Sequence, residues 1–178
     1  MKLSLLLILS LFLLAGCYVP SLNYTVVNEM GGGLGTNITL YDDNTVDVYV
    51  RLPHKNEEDV NSSITAYSKT DKSIYVKELN LWVIDDITQK DVDSKVSIHT
   101  DKKEYYVSDY PQIPDSSKYL KPNRGVTMML VFNHTNLKKY NSLTLQCHAL
   151  VNVDGKEIIV DKTIPVHRND FWRLKMGY

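Results

Sequence analysis

Apolar and polar residues alternate along most of this chain, and the period is two. Val46, Val48, Val50 and Leu52 alternate with Thr45, Asp47, Tyr49 and Arg51, the mark of a half-buried strand with one wet face. Pro53 is expected to end that strand, and His54–Asn61 reads as a charged, mobile loop. The same period predicts strands at Tyr24–Asn28, Asn37–Tyr41, Ser63–Ser68, Ile74–Ile84, Lys95–Thr100 and Val126–Asn133. In the Ile74–Ile84 strand, Leu79, Leu81 and Val83 point inward while Trp82 and Ile84 sit on the other face. In Val126–Asn133, the inward row is Val126, Met128, Leu130 and Phe132.

The strongest local signal is near the C-terminus. Ser142–Val153 and Lys156–Val166 flank Asp154-Gly155, a two-residue loop suited to a hairpin turn with positive φ. Such a loop sets Leu143 opposite Val166, Leu145 opposite Ile164, Ala149 opposite Val160, and Val151 opposite Ile158. A slip of one residue would mix the faces, so the pattern itself supports this register. Cys147 falls on the apolar face, opposite Lys162. We read Cys147 as a small buried hydrophobe, and Lys162 as a misfit whose ammonium must snorkel out or meet an acid. On the other face His148 lies opposite Asp161.

Eight or nine short strands and no long amphipathic helix predict an all-β fold, an antiparallel β-sandwich of immunoglobulin-like or transthyretin-like architecture. A small β-barrel is the alternative. The Cys-Trp-Cys pattern of immunoglobulins is absent, so that likeness is one of architecture only.

The N-terminus interrupts the alternation. Met1-Lys2 precedes a run from Leu3 to Leu14 broken only by Ser4 and Ser10. A bilayer span takes about 20 apolar residues, so this run is too short to cross. It has the length of a signal-peptide core, followed by small residues. Leu14-Ala15-Gly16-Cys17 has the form of a lipobox, and residues 1–17 resemble the signal of bacterial lipoproteins. That resemblance implies removal of residues 1–16, lipidation of Cys17, a lipidated tether over 17–23 and a single domain over 24–178. It also implies an envelope location, with the membrane as partner through Cys17. Tyr18, in place of an aspartate, favours the outer membrane in a Gram-negative cell.

Removing 16 residues from 178 leaves 162, a length that suits one domain. Lys2 is the only charge removed, so basic residues fall from 20 to 19 against 21 acidic ones. No basic face is in view, and nucleic acid is not an expected partner.

Candidate chemistry is sparse. The five histidines, His54, His99, His134, His148 and His167, are scattered. Neither HExxH nor GxSxG occurs, and no metal-ligand spacing is visible. The glycines around Gly31–Gly35 lack the lysine and helix of a phosphate-binding loop and read as a turn. Asp85, Asp86, Asp91 and Asp93 offer oxygens of the kind calcium takes, but without the EF-hand spacing, glycine or terminal glutamate. A solvated acidic loop is the expectation there. His148–Asp161 could orient a base, but no nucleophile can be nominated. We therefore expect no catalytic residue, no metal and no cofactor.

The remaining stretch of interest is 101–125. It holds Tyr105, Tyr106, Tyr110 and Tyr119 with Pro111, Pro114 and Pro122, and has little periodicity beyond a short strand at Glu104–Val107. Connections this long are uncommon and often functional, and tyrosine supplies a rigid face with a polar tip. These four tyrosines are the candidate binding residues; packing on the sandwich edge is the competing role. The tail from Arg168 to Tyr178 mixes aromatic and basic residues and suits a membrane surface, a partner, or its own domain. The reading is a membrane-anchored, non-enzymatic binding or accessory module of the cell envelope with a protein partner there. An envelope enzyme is the alternative. The lipoprotein subunit of type VI secretion systems combines a similar anchor with a sandwich of this size, but no motif links this chain to that family.

Overall fold

The computed structural model describes residues 18–27, 36–56, 59–70, 74–100, 103–107, 119–120, 127–134 and 137–174. These form thirteen strands: β1 (Tyr18–Ser21), β2 (Tyr24–Val26), β3 (Asn37–Asp42), β4 (Val46–Asn56), β5 (Asp59–Ser68), β6 (Ile74–Asp85), β7 (Ser94–Thr100), β8 (Lys103–Val107), β9 (Tyr119–Leu120), β10 (Thr127–His134), β11 (Ser142–Val153), β12 (Lys156–Arg168) and β13 (Phe171–Leu174). A 3-10 turn, Leu137–Lys139, lies between β10 and β11.

The strands make two antiparallel sheets and a small ribbon. One sheet has the order β3-β4-β5-β10-β7-β8 and the other β2-β12-β11-β6-β9, while β1 pairs with β13. Inward rows from both sheets share one core: Val48, Val50, Ile64, Ile98 and Leu130 from the first, and Leu79, Leu145, Val151, Val160 and Val166 from the second. The protein is an antiparallel β-sandwich. Both sheets have open ends in their strand order, so it is not a closed barrel. Period-two alternation produces this outcome because each strand has one apolar face, and two such faces must cover each other.

The β11–β12 hairpin has the expected register throughout, from Ser142 opposite His167 to Val153 opposite Lys156. Its turn has φ of 50° at Asp154 and 86° at Gly155, the doubly positive geometry for which Asp-Gly is suited.

Several expectations need correction. Pro53 does not end β4, and His54–Asn61 is not a charged, mobile loop. β4 continues to Asn56 and pairs with an extended β5, Asn56 opposite Asp59 and His54 opposite Asn61. A bulge between Arg51 and His54 admits the proline, because a bulge leaves ladder positions unpaired and Pro has no N–H to lose there. His54 is consequently buried. The strand count of eight or nine was low because β1, β9 and β13 are too short to show a period. Tyr18–Ser21, within the segment expected to be a tether, forms β1. Val126 and the glycine turn at 31–35 lie outside the described residues.

The β1–β13 ribbon is an extension of the second sheet. β2 pairs with the end of β12, Tyr24 opposite Arg168 and Val26 opposite Val166. After a break at Leu22–Asn23, the same register resumes, Ser21 opposite Phe171 and Tyr18 opposite Leu174. At the break, the Asn169 N–H donates to Asn23 O at 2.9 Å, and Asp170 Oδ1 accepts from the Asn23 N–H at 3.4 Å. Arg168 Nε donates to Asp170 Oδ2 at 2.8 Å.

Candidate binding surfaces

The sequence nominated Cys17 and four tyrosines. Cys17 and Tyr110 lie outside the described residues. The backbone places Tyr105 and Tyr106 in β8, opposite Ile98 and Ser97, and Tyr119 in β9, opposite Tyr75. β8 closes one end of the six-stranded sheet and β9 one end of the five-stranded sheet. The tyrosine-rich stretch therefore leaves one sheet at Val107 and joins the other at Tyr119.

His148 and Asp161 meet as the register required, with Nδ1 2.6 Å from Asp161 Oδ1. A third member comes from β6: His148 Nε2 lies 3.2 Å from Glu78 Oε2. Glu78 reaches this row because it and Lys77 are both exposed, a break in the alternation of β6 that accompanies the register shift at Leu150/Val151. Carboxylates thus face both ring nitrogens of His148. Among the described residues, no hydroxyl or thiol is bonded to it. The group is a cross-strand polar cluster on the outer sheet face.

The other histidines do not converge with it. His134 is buried at the end of the sandwich, where Nε2 sits 2.8 Å from Ser62 Oγ. Its Nδ1 is buried without a partner, and burial depresses its pKa to about 4. His167 Nε2 lies 3.2 Å from Thr25 Oγ1, and His99 Nε2 lies 3.2 Å from Ser97 Oγ. Cys147 is buried on the apolar face, and burial pushes its thiol up to about 12. No group of three or more His, Cys, Asp or Glu is placed to hold a metal ion among the described residues.

The acidic stretch after β6 divides into two parts. Asp85 accepts from the Thr88 hydroxyl at 2.6 Å and the Thr88 N–H at 3.1 Å, which lowers its pKa. These bonds shape a turn in which Gln89 takes φ of 55°. Asp86 accepts from the hydroxyls of Ser142 and Thr144, the latter at 2.7 Å. Both carboxylates are thus engaged in holding the turn against β11. Asp91 and Asp93 are exposed and engage no described residue through their carboxylates.

Those two acids border a cleft of about 210 Å³ on the flank of the sandwich, whose apolar wall includes Trp82, Val83, Val96 and Phe132. The cleft forms where 90–92 clips onto β6: the Asp85 N–H donates to Lys90 O at 3.0 Å, and the Val92 N–H donates to Val83 O at 2.7 Å. Sequence reasoning had both ingredients, the outward Trp82 and the acidic stretch, but missed their meeting. Phe132 and Val96 come from the opposite sheet, so no local pattern reports the cleft.

No family model matches the chain, and no curated protein matches it. Among solved structures, it is similar to the GAE domain of yeast GGA1, with 12% identity over 73% of this chain and 97% of that one and a TM-score of 0.38. It is also similar to the GAE domain of GGA2p from Saccharomyces cerevisiae, with 8% identity, 72% and 94% coverage and a TM-score of 0.37. A structural-genomics target, SoR45, is 7% identical over 92% of this chain and 91% of that one, with a TM-score of 0.29. Likenesses this distant carry no argument about function.

Proposed function

We propose that this chain is a lipid-anchored protein of a bacterial envelope that acts as a non-enzymatic binding or accessory module. The support for the anchor is the lipobox Leu14-Ala15-Gly16-Cys17 behind an apolar run too short to span a bilayer. The observation that carries the binding role is the flank cleft. It sets the exposed Asp91 and Asp93, with Asn80 and Ser94, beside Trp82 and an apolar wall, a concave surface of mixed character whose charged groups are both acidic. The other polar clusters of the described residues are engaged internally: Asp85 and Asp86 in their turn, His134 with Ser62, and His148 between two acids.

The alternative, an envelope enzyme, draws on Glu78–His148–Asp161 alone. Among the described residues no hydroxyl or thiol is bonded to His148 there, so the cluster lacks a nucleophile.

The test is crosslinking of the lipidated protein in cells, followed by pull-down and mass spectrometry. Trp82→Ala with Asp91→Asn perturbs the cleft, and Cys17→Ser removes the anchor. A stoichiometric envelope partner, lost in both variants, is the expected result. A partner retained by the cleft variant would remove the cleft from the reading, and no protein partner at all would sink the binding-module proposal.

A further inference from the structure

The two-stranded ribbon has no other strand beside it among the described residues, yet two strands alone are marginal in water. Its sequence is mostly apolar and aromatic. β1 reads Tyr18-Val19-Pro20-Ser21 and β13 reads Phe171-Trp172-Arg173-Leu174. Arg173 is the one charge among these residues, and no acid occurs. The register brings the two ends of the described chain together, Tyr18 opposite Leu174 and Val19 opposite Arg173.

Cys17 is the chain neighbour of Tyr18. Consecutive Cα atoms are about 3.8 Å apart, so acyl chains on Cys17 leave almost no slack between the lipid and the end of the ribbon. If Cys17 holds acyl chains in the hydrocarbon, the outer end of the ribbon must lie at headgroup depth. Tryptophan and tyrosine are enriched at that depth, and an arginine there meets the negative potential of anionic lipids.

We propose that the β1–β13 ribbon is a membrane-docking element: Phe171–Leu174 is held by register beside the lipidated terminus and lies in the headgroup layer of an anionic lipid surface. The inference rests on the anchor reading and adds a second contact to it. The acyl chains on Cys17 supply the anchorage, since two or more hold firmly where one holds only marginally. The ribbon also fixes orientation. The same ribbon is in register with β2 and β12, clamped at its root by Asp170 on Arg168 and Asn23, so the sandwich would stand on the membrane by that end instead of swinging on a loose tether.

The experiment uses the full chain processed in a bacterial envelope, purified in detergent and reconstituted in phosphatidylcholine–phosphatidylglycerol vesicles whose acyl chains carry bromine. The chain has two tryptophans, so Trp82→Phe leaves Trp172 as the reporter and Trp172→Phe leaves Trp82. Intact mass measured in parallel reports acylation of Cys17. The expected result is an acylated protein in which Trp172 emission falls about twofold while Trp82 emission changes by less than about a tenth, because interfacial residues sit within reach of the acyl bromines. Acylated protein with both tryptophans unquenched would overturn the docking role and leave the anchor standing. Protein without acyl chains but with Trp172 quenched would remove the anchor reading and sustain the ribbon as a lipid-binding element. Neither acylation nor quenching would remove both.

Discussion

Cys147 and Lys162 are direct partners across β11 and β12, yet the thiol is buried and the lysine is exposed. The register puts both in the inward row. The difference comes from what lies beyond β12. β2 covers only Val166–Arg168, so at Lys162 the outer side of β12 has no strand among the described residues. There the side chain can bend past the sheet and keep its charge in water.

That geometry assigns Lys162 a role as an edge guard, since a charge in the inward row of an edge strand obstructs the addition of another strand. Pro165, two residues beyond the adjacent Thr163, has no N–H to offer a neighbour. Lys162→Val should complete the apolar row and raise monomer stability by about 1 kcal/mol, the order expected for partial burial of a valine. It should also make the protein self-associate with rising concentration, as seen by light scattering. A variant that stays monomeric where it is otherwise more stable would remove this role.

Cys147 itself should be inert. The reactive species is the thiolate, and burial holds the thiol near 12. Labelling by a thiol reagent at pH 8 should proceed only at the rate of opening, rising sharply in urea at the unfolding transition. Prompt stoichiometric labelling of the folded protein would show that β11 opens locally or that the thiol is reachable.

Tyr24 ties the start of the domain to its middle. Its hydroxyl lies 2.9 Å from Leu137 O and 2.7 Å from Tyr140 O, so a single O–H serves two carbonyls at the turn between β10 and β11. The ring is fully buried, and desolvation pushes the hydroxyl pKa above the usual tyrosine range. Tyr24→Phe leaves the carbonyls without that donor and should lower stability by roughly 1–3 kcal/mol, the usual penalty for a buried polar group losing its partner. Urea unfolding with an unchanged m-value is the check; a change of a few tenths of a kcal/mol would mean that water replaces the hydroxyl.

How much of this was legible in the chain depended on distance along it. The β11–β12 hairpin was readable to the residue because its turn and both apolar rows are contiguous in sequence. The inward rows of β4, β6 and β10 were readable for the same reason. The continuation of β4 past Pro53 was not, because it depends on a bulge against β5 that no period announces. Glu78 was missed as the third partner of His148, since β6 meets β11 from far upstream and the break at Lys77–Glu78 shifts the face. The ribbon was beyond reach: Tyr18 and Leu174 sit at opposite ends of the described chain, and each strand alone is too short to show alternation. The cleft needed Phe132 and Val96 from one sheet to meet Trp82 from the other.

His134 gives the stability of the domain a pH dependence whose sign can be worked out. Burial holds its pKa near 4, against an ordinary value of 6.5. Between those values the unfolded chain binds a proton that the folded one does not, so stability rises with pH across the window. The contribution is fully present above about pH 6.5 and is lost as pH falls towards 4. A gap of this size corresponds to roughly 3 kcal/mol. The ring cannot be relieved locally, because Nε2 is engaged with Ser62 and Nδ1 is enclosed without a partner. His134→Gln removes the titration while keeping a polar group near Ser62. Urea midpoints measured from pH 7.5 to 4.5 should fall steeply for the native sequence and much less for the variant, whatever the variant loses at neutral pH. Parallel curves for the two proteins would show that His134 accepts its proton in the folded state, and the end of β10 would then have to open to water at mildly acidic pH.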